Sequence, residues 1–276
     1  MVAPDQIAQL IATRYADPKY AEMVPAASET IALQLQHRSV RKFTDQPITD
    51  DELITIVAAA QSASVSSNLQ LFSVVAVRDR DRLKRISEAI GGHKYVEDAA
   101  VFLVWVADLN RAAAIAEANG ASIETTAYIE NTLVAFSDVG IAGQNALLAA
   151  ESLGMGGLFV GGVRNNPLAV AEELALPKYV FPAVGMALGW PDPAEEAGVK
   201  PRVPMEAVLH FEQYDADAWR APIAEYEQRL AGYYADYGKP EYSWMRTMQR
   251  RIGDLRGLHG RHEMRQWLSE RGLESN

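Results

Sequence analysis

The sequence predicts a single domain of α+β or α/β class with a helical tail, and three features carry that expectation. Short β-branched runs alternate with longer Ala-, Leu- and Glu-rich runs, so strands and helices interleave along the chain. The run Val101-Phe-Leu-Val-Trp-Val106 is apolar on both alternating faces, which marks a strand covered from both sides. Beyond His210 strand signals stop and aromatic helical sequence takes over, from Trp219 and Tyr226 through Tyr233, Tyr234, Tyr237, Tyr242 and Trp244 to Trp267.

Taken in order, residues 1–36 form a helical N-terminal extension. Helices are expected over 5–15 and 28–36, parted by the breakers Asp17-Pro18 and Pro25. The main domain then runs over 37–276, with its helical tail from about 210. Thr49 and Glu52 have the spacing of a capping box ahead of a helix through Ala60. Residues 71–77 are short and β-branched and predict a strand. Residues 81–90 predict a helix that Gly91-Gly92 ends. From 122 to 152 the chain is rich in helix formers and free of proline, which predicts one long core helix. A glycine-flanked strand is expected over 157–163, a helix opened by Asn166 as N-cap with Pro167 at its first position, and a last strand over 180–188. Residues 190–204, with Pro191, Pro193, Pro201 and Pro204, read as a loop.

Composition narrows the function classes. At 276 residues the chain can bury a core without metals or disulfides, and its apolar fraction of 49% and charged fraction of 22% are those of a globular protein. With no cysteine, disulfides, thiolate metal sites, iron-sulfur clusters and cysteine nucleophiles are excluded. A net charge of -10 argues against a nucleic-acid partner. The longest apolar run, residues 99–107, is too short to span a bilayer, and MVAPDQIAQL lacks the plan of a secretory signal, so a cytoplasmic location without a membrane partner is expected.

Familiar catalytic signatures are missing: there is no G-x-G-x-x-G, P-loop, H-E-x-x-H or G-x-S-x-G. His37, His93, His210, His259 and His262 form no ligand set, and the pair His259 and His262 reads as the solvated face of an arginine-rich tail helix, so no metal is expected. Four other stretches carry chemistry. His37-Arg38-Ser39-Val40-Arg41 offers guanidiniums and a hydroxyl suited to a phosphate, although by itself it reads first as a solvated charge run. Lys200-Pro201-Arg202 is extended by its proline, which turns both cations to one side, with surface charge as the even alternative. Ser66-Ser67-Asn68-Leu69-Gln70 is a polar link able to present amides to a heterocycle edge, or an ordinary loop. Phe159-Val160-Gly161-Gly162 ends in glycines that admit a flat ligand, or a tight packing contact.

In order and spacing, His37-Arg38-Ser39-x-Arg41, Ser67-Asn68-x-Gln70, Phe159-Val-Gly-Gly162-x-Arg164-Asn165-Asn166, Leu188-Gly-Trp-Pro191 and Lys200-Pro201-Arg202 resemble the FMN-dependent nitroreductase family. The nearest branch is that of oxygen-insensitive NADPH nitroreductases and P-type flavin reductases, and the likeness runs from about residue 30 to the end. It implies an α+β fold, a mixed sheet wrapped by helices, in an intertwined homodimer whose tail reaches onto the partner. It also implies an FMN-dependent oxidoreductase that takes hydride from NADPH or NADH and passes electrons to nitroaromatics, quinones or flavins in ping-pong fashion. A dedicated flavin reductase feeding a monooxygenase and a non-catalytic FMN-binding regulator are the alternatives.

Carried onto this chain, the resemblance assigns the FMN phosphate to His37, Arg38, Ser39, Lys200 and Arg202. Arg41 falls at the N1 and C2 carbonyl edge as an electrostatic stabiliser, with the chemistry itself on FMN. Ser66, Ser67, Asn68 and Gln70 fall near the ring, and Phe159, Val160, Gly161 and Gly162 against its other face. His93 stands where the branch commonly has a glutamine bonded to the flavin, and Val65 where a serine or proline is common. Arg164 and Lys239 are the nicotinamide-nucleotide candidates, since between Tyr234 and Trp244 the branch's 2'-phosphate arginines are replaced by Lys239 alone.

Overall fold

The computed structural model describes residues 2–274 and Asn276. In chain order its helices and strands are α1 (Pro4–Tyr15), α2 (Glu29–Gln36), α3 (Asp50–Gln61), β1 (Phe72–Val77), α4 (Arg80–Ile90), α5 (Lys94–Glu97), β2 (Val101–Asp108), α6 (Asn110–Ala118), α7 (Ile129–Ser152), β3 (Gly156–Val160), α8 (Pro167–Glu173), β4 (Val180–Gly189), α9 (Arg220–Asp236), α10 (Trp244–Gly253) and α11 (Met264–Glu270). They divide into two units. Residues 39–197 and 259–276 form a sheet unit, and residues 1–38 and 198–258 form a helical unit.

In the sheet unit four strands lie in the order β1-β2-β4-β3, and every pairing among them is antiparallel. Among the described residues, parallel pairing is confined to the bridge between Ser39 and Gly157. Burial of β2 from both sides holds as expected. Val101, Leu103 and Trp105 pack with Ile56 of α3 and with Val139, Ala142 and Ala146 of α7. Phe102, Val104 and Val106 pack with Leu83, Ile86 and Ile90 of α4. Although α7 is long and apolar enough to cross a membrane, its inner face is buried against β2 and α3, as in a core helix. The expected caps form. Thr49 and Glu52 make the reciprocal capping box on α3, Gly91 closes α4 at φ 119°, and the Asn166 side chain accepts from the Ala169 amide ahead of α8.

Four expectations are corrected. The helix expected over 122–152 begins only at Ile129, because the Ser122 hydroxyl takes the Glu124 amide, Thr126 bonds back to the Ile123 carbonyl, and Tyr128 is extended at φ -98° and ψ 142°. Ser and Thr side chains here compete with the helical ladder. The strand expected over 157–163 stops at Val160, where residues Gly161–Arg164 tighten into a 3-10 turn. The helices α5 and α6 were not foreseen; α6 is opened by Asp108, whose carboxylate accepts the Asn110 amide at 3.0 Å. Finally, His259 and His262 do not share one α-helix face: His259 lies in a turn at φ 51°, and His262 lies in the short 3-10 helix Arg261–Glu263 ahead of α11, its Nε2 3.1 Å from a Glu263 carboxylate oxygen. The last helix completes the sheet unit of its own chain. Leu268 and Leu273 are buried with Leu71, Leu109 and Phe181, and Arg271 donates to the carbonyls of Leu176, Pro177 and Val180.

The helical unit gathers α1, α2, α9 and α10. Its tail core joins Ile223, Tyr226 and Leu230 of α9 to Val203, Tyr242 and Trp244. Tyr226 meets the Trp244 ring edge-on at 5.2 Å, and Tyr234 stacks on Tyr242 at 3.7 Å. The turn that follows α1 is tied to the tail by ion pairs. Asp17, buried, pairs with Arg229 of α9 at 2.9 Å, and Lys19 pairs with Glu206 at 2.5 Å. Burial alone would raise the Asp17 carboxyl, but the Lys19 amide and the Arg229 and Lys19 charges outweigh it and hold the group below its ordinary range.

Candidate functional site

The predicted anion-binding residues of the helical unit stand on two segments far apart in sequence. One is the end of α2, where His37 leaves the helix at φ -49° and ψ 132° and turns the chain outward before Arg38. The other is Lys200-Pro201-Arg202. Both converge on Arg14 of α1, a residue 6% exposed. Its guanidinium donates to the carbonyls of Leu35 at 2.7 Å, His37 at 2.5 Å and Lys200 at 3.1 Å, and its own carbonyl accepts the Arg202 amide at 3.0 Å. Around this buried hub Arg38 and Arg202 remain exposed. The Lys200 ammonium lies 5.3 Å above the Tyr234 ring, the Arg202 guanidinium returns to the Lys200 carbonyl at 3.2 Å, and the Tyr233 hydroxyl holds the Gly198 carbonyl at 3.2 Å.

In the sheet unit, Ser39 bridges to Gly157, and the backbone amides of Arg41 and Lys42 both donate to one Glu195 oxygen, at 2.6 and 2.7 Å. The exposed Arg41 side chain is thereby carried on a fixed backbone. Its charge reaches Tyr95, whose phenol burial pushes up and Arg41 pulls down. The His93 ring stacks on Tyr95 at 5.1 Å, and a Cβ added to Gly162 would lie 3.4 Å from His93 Nε2. Arg41, Tyr95, His93 and Gly162 thus form one neighbourhood. Val160 is buried and Phe159 packs under Gly143, so the β3 end is rigid where it meets the glycine pair.

The 66–70 segment is held in a costly shape. Ser67, Asn68 and Gln70 take φ of 48°, 55° and 52°, the left-handed region that side chains other than glycine and asparagine avoid. Asp138 of α7, 1% exposed, accepts the Ser66 amide at 3.2 Å and the Leu71 amide at 3.1 Å, so one carboxylate clamps both ends of the loop. Arg111 of α6 adds a bond to the Gln70 carbonyl, and Gln70 Nε2 donates to Asn68 Oδ1 at 3.3 Å. Ser66, Ser67, Asn68 and Gln70 are left exposed.

Of the nicotinamide-nucleotide candidates, Arg164 donates to the Ala183 carbonyl of β4, beside Gly161, and Lys239 is exposed just beyond α9 in the other unit. Sequence reasoning did not single out Arg14, Asp138, Tyr95, Arg111 or Glu195. A charged residue amid apolar helical neighbours was the available signal for Arg14 and Asp138.

The residues present fit FMN. A phosphate asks for several cationic donors reachable from solvent, and the helical unit supplies Arg38, Lys200 and Arg202 on segments pinned to one hub. A flat ring asks for a surface without side chains and for polar edges, and the sheet unit supplies the Gly161-Gly162 turn, the 66–70 loop and Arg41.

Known proteins resemble this chain over most of its length. Residues 35–190 match the Nitroreductase family, and residues 200–276 match the Nitroreductase family C-terminal domain. The chain belongs to the nitroreductase family. This nitroreductase-family chain is 43% identical over 211 residues, 76% of its length and 85% of the relative's, to an oxygen-insensitive NADPH nitroreductase of Salmonella typhimurium. It is 40% identical over 225 residues, 80% of its length and 90% of the relative's, to an FMN reductase [NAD(P)H] of Bacillus subtilis. Among solved structures, NfrA2 of Bacillus megaterium superposes with a TM-score of 0.85 at 35% identity, covering 91% of this chain and all of that one. The NADPH:FMN oxidoreductase of Vibrio harveyi complexed with NAD+ does so with a TM-score of 0.79 at 37% identity, covering 90% and 100%. Residues 1–34 lie outside both family matches.

Proposed function

We propose that this chain is an FMN-dependent NAD(P)H oxidoreductase that reduces nitroaromatics, quinones or flavins. The observation that carries the reading is the convergence of the His37-Arg38 and Lys200-Arg202 segments on one buried guanidinium, which groups cations for a single phosphate and so favours FMN over a dinucleotide. Names of relatives at about 40% identity support the same chemistry. When bound, FMN would accept hydride from the nicotinamide and deliver electrons to the second substrate, while the protein supplies position and charge.

In that reading Arg38, Ser39, Lys200 and Arg202, with His37, hold the phosphate. Arg41, whose backbone is held by the Glu195 clamp, would be the fixed cation at the N1 edge of the ring, in the way that preorganised charge stabilises an oxyanion. The exposed side chains of Ser66, Ser67, Asn68 and Gln70 would face the ring edge, with His93, beside Gly162, in the place of the family's glutamine. The backbone from Phe159 to Gly162 would lie against the other face. Arg164 and Lys239 serve the nicotinamide nucleotide, and a cytoplasmic location gives it supply.

The chain acts as a homodimer in this reading. The outer face of α7 exposes Ile129, Leu133 and Ile141 around Gly140, an apolar strip with room for close approach of a second copy. Light scattering at the mass of one chain at micromolar concentration would contradict it. A dedicated flavin reductase is the second reading, favoured by the relatives named FMN reductase. The test is direct. The purified protein should be yellow, release FMN and not FAD, and oxidise NAD(P)H when a nitrofuran, a quinone or free FMN is added. A colourless preparation that takes up no FMN overturns the proposal, and turnover with free flavin alone selects the second reading.

A further inference from the structure

Helix α1 lies outside the family matches, yet its buried cation sits on the two segments assigned to the phosphate. Arg14 is the last-turn residue of α1, and helix geometry aims it at the C-terminal end of α2, where the carbonyls of Leu35 and His37 have lost their helical partners. One guanidinium has five donors in a rigid fork, and here it spans carbonyls 165 residues apart in sequence, from Leu35 to Lys200. The Arg14 carbonyl meanwhile takes the Arg202 amide, so both residues flanking Pro201 are bonded to Arg14. Two independent ties secure α1 and the turn after it. Asp17 pairs with Arg229, and Lys19 with Glu206.

We infer that Arg14 is a positioning residue for phosphate recognition: the N-terminal extension is a clamp that sets the spacing between the His37-Arg38 and Lys200-Arg202 segments. This rests on the proposed FMN phosphate site. The physical argument is preorganisation. Lys200 and Arg202 lie in a stretch without helix or strand, and a cation on a loose segment loses conformational freedom when it grips a ligand. Bonding the backbone on both sides of Pro201 to a buried fork spends that entropy at folding, before the ligand arrives. Charge adds to it, because a guanidinium beside the His37 and Lys200 carbonyls raises the positive potential of the segments themselves. Partners that orient a ligating group without touching the ligand commonly set 10- to 100-fold in affinity at metal sites, and about tenfold is the expectation here.

The test compares FMN with riboflavin, which shares the ring and lacks the phosphate. Apo-protein is titrated with each flavin, and quenching of flavin fluorescence gives both dissociation constants for the parent, Arg14→Ala, Arg14→Lys and Arg202→Ala. Arg14→Ala should weaken FMN about tenfold and leave riboflavin within twofold. Arg14→Lys, which keeps the charge but cannot reach all three carbonyls, should lose FMN to a smaller extent and serves as the reading if the alanine variant fails to fold. A merely structural Arg14 would move both flavins together or neither. That outcome, with Arg202→Ala still losing FMN selectively, overturns the inference and leaves the phosphate site standing. If Arg202→Ala also leaves the FMN-to-riboflavin ratio unchanged, the phosphate site falls and the inference with it.

Discussion

Removing the carboxylate of Asp138 should unlock the 66–70 loop, and the size of the effect follows from what that loop costs. Three of its residues other than glycine stand at φ near 50°, which costs about 1 kcal/mol or more apiece and roughly 3 kcal/mol together, asparagine being the cheapest. Opposing this, Asp138 accepts two backbone amides, and a bond to a charged group contributes about 1.5 to 3 kcal/mol. The two terms are of one size, so the loop keeps its shape only while the carboxylate is present. Asp138→Ala leaves the buried Leu71 amide without its partner and should cost on the order of 3 kcal/mol in unfolding free energy. Asp138→Asn keeps one acceptor oxygen and turns an NH2 toward the other amide, for about half that loss. Denaturant unfolding of the apo-protein measures the first effect, and hydrogen exchange at Ser66 and Leu71 localises it. Flavin titration measures the second: because Ser67, Asn68 and Gln70 are proposed to meet the ring, riboflavin and FMN should weaken in parallel, unlike the phosphate-selective loss expected at Arg14. An alanine variant that unfolds within about 0.5 kcal/mol of the parent, with unchanged exchange at both amides, would refute the reasoning.

Three further outcomes are expected. Burial pushes the Tyr226 phenol up to about 12 against the pull of Arg202, so its contribution is present below pH 10 and lost as pH rises through 12, on the order of 3 kcal/mol; Tyr226→Phe should flatten that alkaline loss, and a native titration at 295 nm showing every tyrosine ionised by pH 10.5 would contradict it. Asp17 lies below its ordinary range, so its stabilisation is present above about pH 4 and lost as pH falls through its native value. Asp17→Asn should therefore weaken the fold at pH 6 and respond less to acid than the parent, and parallel acid profiles would remove Asp17 from the ties of α1. In the proposed assignment Lys239 takes the place of 2'-phosphate arginines and Arg164 donates to the Ala183 carbonyl, which leaves no bidentate pair for that phosphate. NADH should be a competent donor, its kcat/KM within about a thousandfold of that for NADPH, since about 1.5 to 3 kcal/mol of discrimination is on the order of 10- to 100-fold; a wider gap measured at one ionic strength points to another basic group.

What could be read from the sequence and what could not divides by the range of the interactions involved. The α3 capping box was legible because Thr49 and Glu52 are three residues apart and satisfy each other, and the burial of β2 was legible because strand periodicity writes both faces into eight consecutive residues. The start of α7 was not legible: the helix formers before Ile129 were outbid by Ser122 and Thr126, whose local bonds leave no mark on a propensity average. The site divides the same way. Arg38, Arg41, Lys200 and Arg202 stood out as charge clusters with short spacing. Arg14 and Asp138 did not, because the carbonyls that Arg14 holds are 21 to 186 residues away and the amides that Asp138 holds are 67 and 72 away. Both are buried charges, whereas the other charges of their helices, Asp5 on α1 and Glu130 and Glu151 on α7, lie in terminal turns and are not buried, and a buried charge is tolerated only where it is bonded. A single ionisable residue on the inner face of a predicted helix is therefore a usable signal. It says that some distant backbone is left without partners, and in this chain that backbone belongs in both instances to a segment assigned to the flavin.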